Sequence, residues 1–190
     1  MKKILIALIM AISVTTPIQT MAESVTQSEV EIKPSEQNIE QIIDEITSEP
    51  HPINSDAIQN AKEYIIKYFG DLGYDNIECQ KFEYNDENNE NAIRRSSQAK
   101  VFLAPTAQNA TVDGNGENVI VTKKSSTDIT KNLIISAHYD SAEDSVGAND
   151  NGSGVAAVLE LARILKDTEM PYNIKFILFS GEEKYMLGSR

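Results

Sequence analysis

A chain of 190 residues with 41% hydrophobic and 24% charged residues has material for one domain with a substantial core, and not for two. Its 17 basic against 29 acidic side chains give a net charge of −12, which argues against nucleic-acid or anionic-membrane partners, since both require basic surface. The single cysteine, Cys79, excludes an intramolecular disulfide and is expected as a buried thiol.

Residues 1–22 have the pattern of an export signal. Lys2-Lys3 precede an apolar core over residues 4–12 that is too short to span a bilayer, and Thr20-Met21-Ala22 supplies small residues for cleavage. Its removal would leave a secreted, extracellular protein without stable membrane association. Residues 23–34 are polar and poor in aromatic side chains, as in a flexible leader. Ser35 then caps a helix in which Ile39, Ile42, Ile43 and Ile46 recur at helical spacing, and Glu49-Pro50-His51-Pro52 ends it. A second helix is expected over 55–72, with Ala57, Ala61, Tyr64, Ile65, Tyr68, Phe69 and Leu72 on one face.

Imperfect alternation over 77–84 predicts an edge strand, and the Asn-, Asp- and Glu-rich stretch 85–98 a loop. Strands are expected over 99–105 and 118–123, with Asp113-Gly114-Asn115-Gly116 between them as hairpin-turn chemistry. Residues 125–130 form a polar connection. Leu133-Ile134-Ile135-Ser136-Ala137 reads as a strand buried on both faces. Helical periodicity over 152–166 (Val155, Val158, Leu159, Ala162, Leu165) and a second buried strand over 174–179 complete a βαβ unit with parallel strands. Met186-Leu187 is expected to open a further helix. The fold class is α/β.

Three polar pieces punctuate this unit: His138-Tyr139-Asp140, Gly147-Ala148-Asn149-Asp150-Asn151-Gly152-Ser153-Gly154, and Gly181-Glu182-Glu183. Singly, each has an ordinary explanation: a loop histidine, a helix cap, and acids favoured by a helix dipole. Together they reach one sheet edge, because open α/β sheets bind ligands at the carboxyl ends of their strands. Carboxylates gathered beside an imidazole, with few Lys or Arg nearby, need a cation. That ligand mixture suits zinc, or less selectively manganese or cobalt, whereas calcium prefers oxygen alone. Asp140 can orient the His138 ring by accepting its other N–H, and of two adjacent glutamates one can bind metal while the other handles a water proton. Other site classes fail. No Lys precedes Ser153 as a phosphate loop needs, and the glycine spacing of a nucleophile elbow is missing.

In order and spacing, Asn118-Val119-Ile120, Ser136-Ala137-His138-Tyr139-Asp140-Ser141, residues 147–155, Leu159-Glu160-Leu161-Ala162-Arg163 and Phe179-Ser180-Gly181-Glu182-Glu183 resemble the central part of the co-catalytic zinc aminopeptidases related to aminopeptidase S, aminopeptidase Y and glutaminyl cyclase. Residues 49–74 resemble the helical opening part of the same family, less closely. The resemblance implies an incomplete three-layer α/β/α zinc-exopeptidase fold with a mixed, largely parallel sheet, residues 35–190 forming its N-terminal and central part. It implies two zinc ions bridged by Asp150, with His138 on one and Glu183 on the other. Glu182 would be the general base, Asp140 the partner of His138, and the Asp150–Asn151 peptide cis. The reaction implied is removal of N-terminal residues from peptides by metal-activated water.

The family pattern also asks for an Asp and a His beyond Glu183, and residues 184–190 contain neither; His51 is poorly placed to substitute. The expectation is therefore a C-terminally truncated copy with two protein ligands per ion instead of three and impaired hydrolysis. The rival readings are an inactive pseudoenzyme or peptide-binding remnant, and a glutaminyl cyclase.

Overall fold

The computed structural model describes residues 33–84 and 114–190. The expected signal segment, the leader ahead of Lys33, the 85–98 loop and the 99–105 strand lie outside them.

Helix α1 (Glu36–Ile46) starts where Ser35 Oγ accepts the Asn38 N–H at 3.2 Å and buries Ile42 and Ile46, one turn apart. Helix α2 (Asp56–Asp71) repeats the device with Ser55, whose Oγ accepts the Ile58 N–H at 3.1 Å. It buries Ile58, Ala61, Ile65 and Phe69. Gly73 follows at φ +82°, a conformation that closes off further helix.

Strands β1 (Ile77–Tyr84), β2 (Gly114–Lys123), β3 (Asn132–His138) and β4 (Asn173–Phe179) form one mixed sheet in the order β1-β2-β4-β3. β1 with β2 and β2 with β4 are antiparallel, while β3 and β4 are parallel, with Asn132 opposite Asn173 and His138 opposite Phe179. Helix α3 (Ser153–Leu165) is the crossover that makes this parallel pairing possible. The core sits between helices and sheet. Phe69 of α2 lies 5.8 Å from Phe176 of β4, ring centre to ring centre, and Tyr74 packs edge-on to both at 5.6 and 5.9 Å. Ile174, Phe176 and Leu178 are fully buried, whereas the alternate residues Lys175, Ile177 and Phe179 are half-buried.

Four expectations are corrected. The strand over 133–137 is not buried on both faces: Leu133 is 41% and Ile134 58% exposed, because β3 ends the sheet among the described residues. Gly114, Asn115 and Gly116 do not form a hairpin turn but open β2, paired with Tyr84, Glu83 and Phe82. The glycines serve close approach there: a Cβ on Gly114 would run into the Tyr84 ring, and one on Gly116 into the Phe82 ring and Ile53. Cys79 is exposed on β1, which ends the sheet among the described residues. Beyond Glu183 the chain makes only a short 3₁₀ turn (Leu187–Ser189), since Tyr185 and Met186 adopt φ +68° and +55°.

The buried Glu160 carboxylate of α3 ties that helix to α1. The Glu160 carboxylate accepts the Ser35 N–H and the Asn38 side-chain amide, both at 2.6 Å, and two Arg163 N–H groups at 2.9 and 2.7 Å. The Arg163 guanidinium holds Glu160 below its ordinary value of 4.5, with the bonds from Ser35 and Asn38 assisting against burial. A depressed carboxyl stabilises the fold above its unfolded-state value, and that contribution is lost as pH falls below about 4.5 through the folded-state value. Glu160→Gln is expected to destabilise the chain by about 2 kcal/mol at neutral pH. It should also flatten the acid limb of stability against pH, measured by urea unfolding at stepped pH.

Candidate metal centre

The parallel register sets His138 beside Phe179, and the Tyr139 N–H continues the ladder onto Phe179 O at 2.8 Å. The chain therefore leaves β3 and β4 side by side, carrying residues 138–141 and 180–183 to the same sheet edge. The third piece arrives through a turn over Ala148–Gly152 that leads into α3. Gly147 opens it at φ +68°, where a Cβ would stand 2.9 Å from Asp150 O and 3.0 Å from Ser141 Cβ. The Gly152 N–H closes it onto Gly147 O at 2.8 Å. The Asp150–Asn151 peptide is cis, as the resemblance implied.

These elements bring the candidate residues together. Ligand atoms of His138, Glu182 and Glu183 all lie within 4.8 Å of one another. His138 Nε2 is 3.1 Å from Asp150 Oδ1 and 3.8 Å from Glu182 Oε2. The ring is buried, its other nitrogen 3.1 Å from the main-chain oxygen of Asp140. That bond keeps a hydrogen on Nδ1 and leaves Nε2 facing the cluster, where it donates to Asp150 when protonated and offers a lone pair to a cation once that proton is lost.

Asp140 has a second task beside the one its spacing suggested. Its carboxylate stands 3.5 Å from His138 Nδ1, behind its own carbonyl. Its two oxygens also accept the backbone N–H groups of Glu182 and Glu183, each at 3.1 Å. A fully buried side chain at the end of β3 thus fixes the pair of glutamates at the end of β4. No sequence pattern specifies this, because it depends on the parallel register. Asp140→Asn replaces one acceptor with an N–H₂ facing an N–H. The expected result is a zinc affinity lower by about 10–100-fold, read by calorimetric titration. His51, expected to be no ligand, stands apart from the cluster: it is buried, with Nδ1 on Glu49 O and its N–H on Ser141 Oγ, both at 2.9 Å.

Four carboxylates surround one imidazole, and the electrostatics reflect the surplus. Burial and then the neighbouring Asp150 push the Glu183 carboxyl up, Glu182 and Asp140 adding to this against His138. Burial works to lower His138, yet the hydrogen bonds and charges of Asp140, Asp150 and Glu182 outweigh it and push the imidazole up to about 9. The cluster is short of positive charge, which a divalent cation supplies in exchange for protons. One imidazole nitrogen among carboxylate oxygens, at a half-open edge, fits zinc.

Residues 118–190 match Peptidase family M28. Over 133 residues the chain is 33% identical to aminopeptidase YwaD of Bacillus subtilis (strain 168), covering 70% of this chain and 28% of the relative. The chain is thus similar to peptidases of family M28. A vacuolar membrane protease of Schizosaccharomyces japonicus is 31% identical over 148 residues, which is 78% of this chain and 16% of that one. The chain thus spans less than a third of the length of these two relatives. The fold agrees. The structure of BSAP, a zinc aminopeptidase from Bacillus subtilis, superposes with a TM-score of 0.67 at 19% identity, over 84% of this chain and 64% of that one. A Porphyromonas gingivalis glutaminyl cyclase does so with 0.61 at 18%, over 82% and 51%.

Proposed function

We propose that the chain is the metal-binding part of an exported zinc aminopeptidase that hydrolyses N-terminal residues from peptides. The observation carrying this reading is the convergence of His138, Glu182 and Glu183 within 4.8 Å, with Asp150 in contact with His138. His138 and Asp150 would hold one zinc ion, Glu183 and Asp150 a second. Bound zinc supplies Lewis acidity and makes water a nucleophile near neutral pH. Glu182 Oε2, at the half-exposed rim, takes the proton of the attacking water and returns it to the leaving amine. Asp140 keeps both glutamates in place through their amides. A cavity of about 290 Å³ beside Glu183, lined by Pro52, Ile53, Ala142 and Tyr185 among others, offers room for a peptide side chain.

His138, Asp150 and Glu183 would give each ion two protein ligands among the described residues. The test is an aminoacyl-anilide assay of the purified chain with and without added zinc. Zinc-dependent release of the anilide supports the reading. Metal uptake without hydrolysis favours a peptide-binding remnant, and cyclisation of an N-terminal glutamine favours a cyclase. Turnover that does not respond to zinc overturns it.

Export rests on the pattern of residues 1–22, and among the described residues no helix is long and apolar enough to cross a membrane. N-terminal sequencing of protein recovered from culture medium tests it. A chain beginning near Glu23 is expected, and retention in the membrane fraction would contradict it. The net charge of −12 supports peptides rather than nucleic acid as partners.

A further inference from the structure

From the proposal that Glu182 and Glu183 serve a metal site, we infer that Asn118, on β2, is a positioning residue that closes the base of the loop presenting them. The β2–β4 ladder ends at the pair Val119–Leu178, just before β4 gives way to the loop. There the Asn118 side chain takes over from the backbone: its Oδ1 accepts the Ser180 N–H at 3.1 Å. Its Nδ2 donates to Gly188 O at 2.7 Å, and the Gly188 N–H returns to Ser180 O at 3.1 Å. Asn118, Ser180 and Gly188 thus form a closed ring of hydrogen bonds across the two ends of the segment that carries Glu182 and Glu183. Inside that ring the Leu187 N–H reaches Gly181 O at 2.7 Å and the Met186 N–H reaches Glu182 O at 2.8 Å.

Asn118 is 1% exposed, so nothing in water can replace these bonds if the amide is lost. Its remaining amide hydrogen goes to Gln80 Oε1 at 2.9 Å, on β1 and away from the loop. Glycine at 188 belongs to the same device: a Cβ there would run into Asn118 Oδ1 and the Ser180 backbone. The loop is therefore held from two sides. Asp140 grips the amides of Glu182 and Glu183 from β3, and Asn118 fixes the base from β2.

The experiment compares the full chain with Asn118→Leu, Gly188→Ala, Gln80→Ala and Tyr74→Phe. Tyr74→Phe removes a 2.9 Å bond to Ala162 O within the core and serves as a control for lost stability alone. Each variant is titrated with zinc by calorimetry, its visible spectrum recorded at saturating cobalt, and its thermal unfolding measured. Asn118→Leu and Gly188→Ala are expected to bind zinc about 10–100-fold more weakly and to alter the cobalt spectrum. Gln80→Ala and Tyr74→Phe should keep both within experimental scatter, even where unfolding shifts. Should Asn118→Leu fail to fold, Gly188→Ala carries the test. Folded loop-base variants with the affinity and spectrum of the unaltered chain overturn this inference while leaving the metal site standing. A chain that takes up no zinc overturns the metal site and this inference with it.

Discussion

Glu182→Gln is expected to lower zinc-dependent peptide hydrolysis by about 10²–10⁴-fold, the usual contribution of a general base, while zinc uptake stays close to that of the unaltered chain. The substitution keeps the shape of the side chain and the backbone N–H that Asp140 accepts at 3.1 Å. It removes the ability of Oε2 to hold a proton. Glu182 also reaches His138 Nε2 at 3.8 Å, farther than Asp150 at 3.1 Å, so its loss should disturb the metal less than the loss of Asp150. The measurement is turnover of an aminoacyl anilide at saturating zinc, with metal affinity read separately by calorimetry. Unchanged turnover would remove Glu182 from the chemistry.

The second large effect is expected at Asp150. Its side chain is 77% exposed, and by stability arguments alone an exposed side chain contributes little, within about 0.5 kcal/mol. As the residue proposed to bridge two ions it should contribute more than any supporting residue does. Asp150→Asn is thus expected to weaken zinc binding by at least about 100-fold with thermal unfolding of the metal-free chain almost unchanged. Calorimetric titration together with unfolding of the apo chain checks both halves. Substantial loss of apo stability would instead mark Asp150 as structural.

Local chemistry made much of the fold legible. Ser35 and Ser55 cap helices as serine does, and the isoleucine spacing of α1 appears in the burial of Ile42 and Ile46. The βαβ unit followed from two apolar runs separated by a helical period, and its parallel register brings His138, Glu182 and Glu183 together. What remained hidden depends on neighbours distant in sequence. Gly114 and Gly116 carry turn chemistry, but the rings of Tyr84 and Phe82 lying across them make a strand of that segment. The double apolar burial expected of β3 fails at Ile134, because β3 ends the described sheet. The roles of Asp140 and Asn118 are hydrogen bonds to main-chain groups 42 and 62 positions away, which no local pattern encodes.

The central claim is that one imidazole and a set of carboxylates at this sheet edge form a metal centre. X-ray absorption at the zinc edge of the loaded chain tests it most directly, with His138→Ala alongside. Scattering from an imidazole nitrogen among oxygens is expected, and it should be lost in His138→Ala. Sulfur scattering from the exposed Cys79, or an imidazole signal that persists without His138, would contradict it.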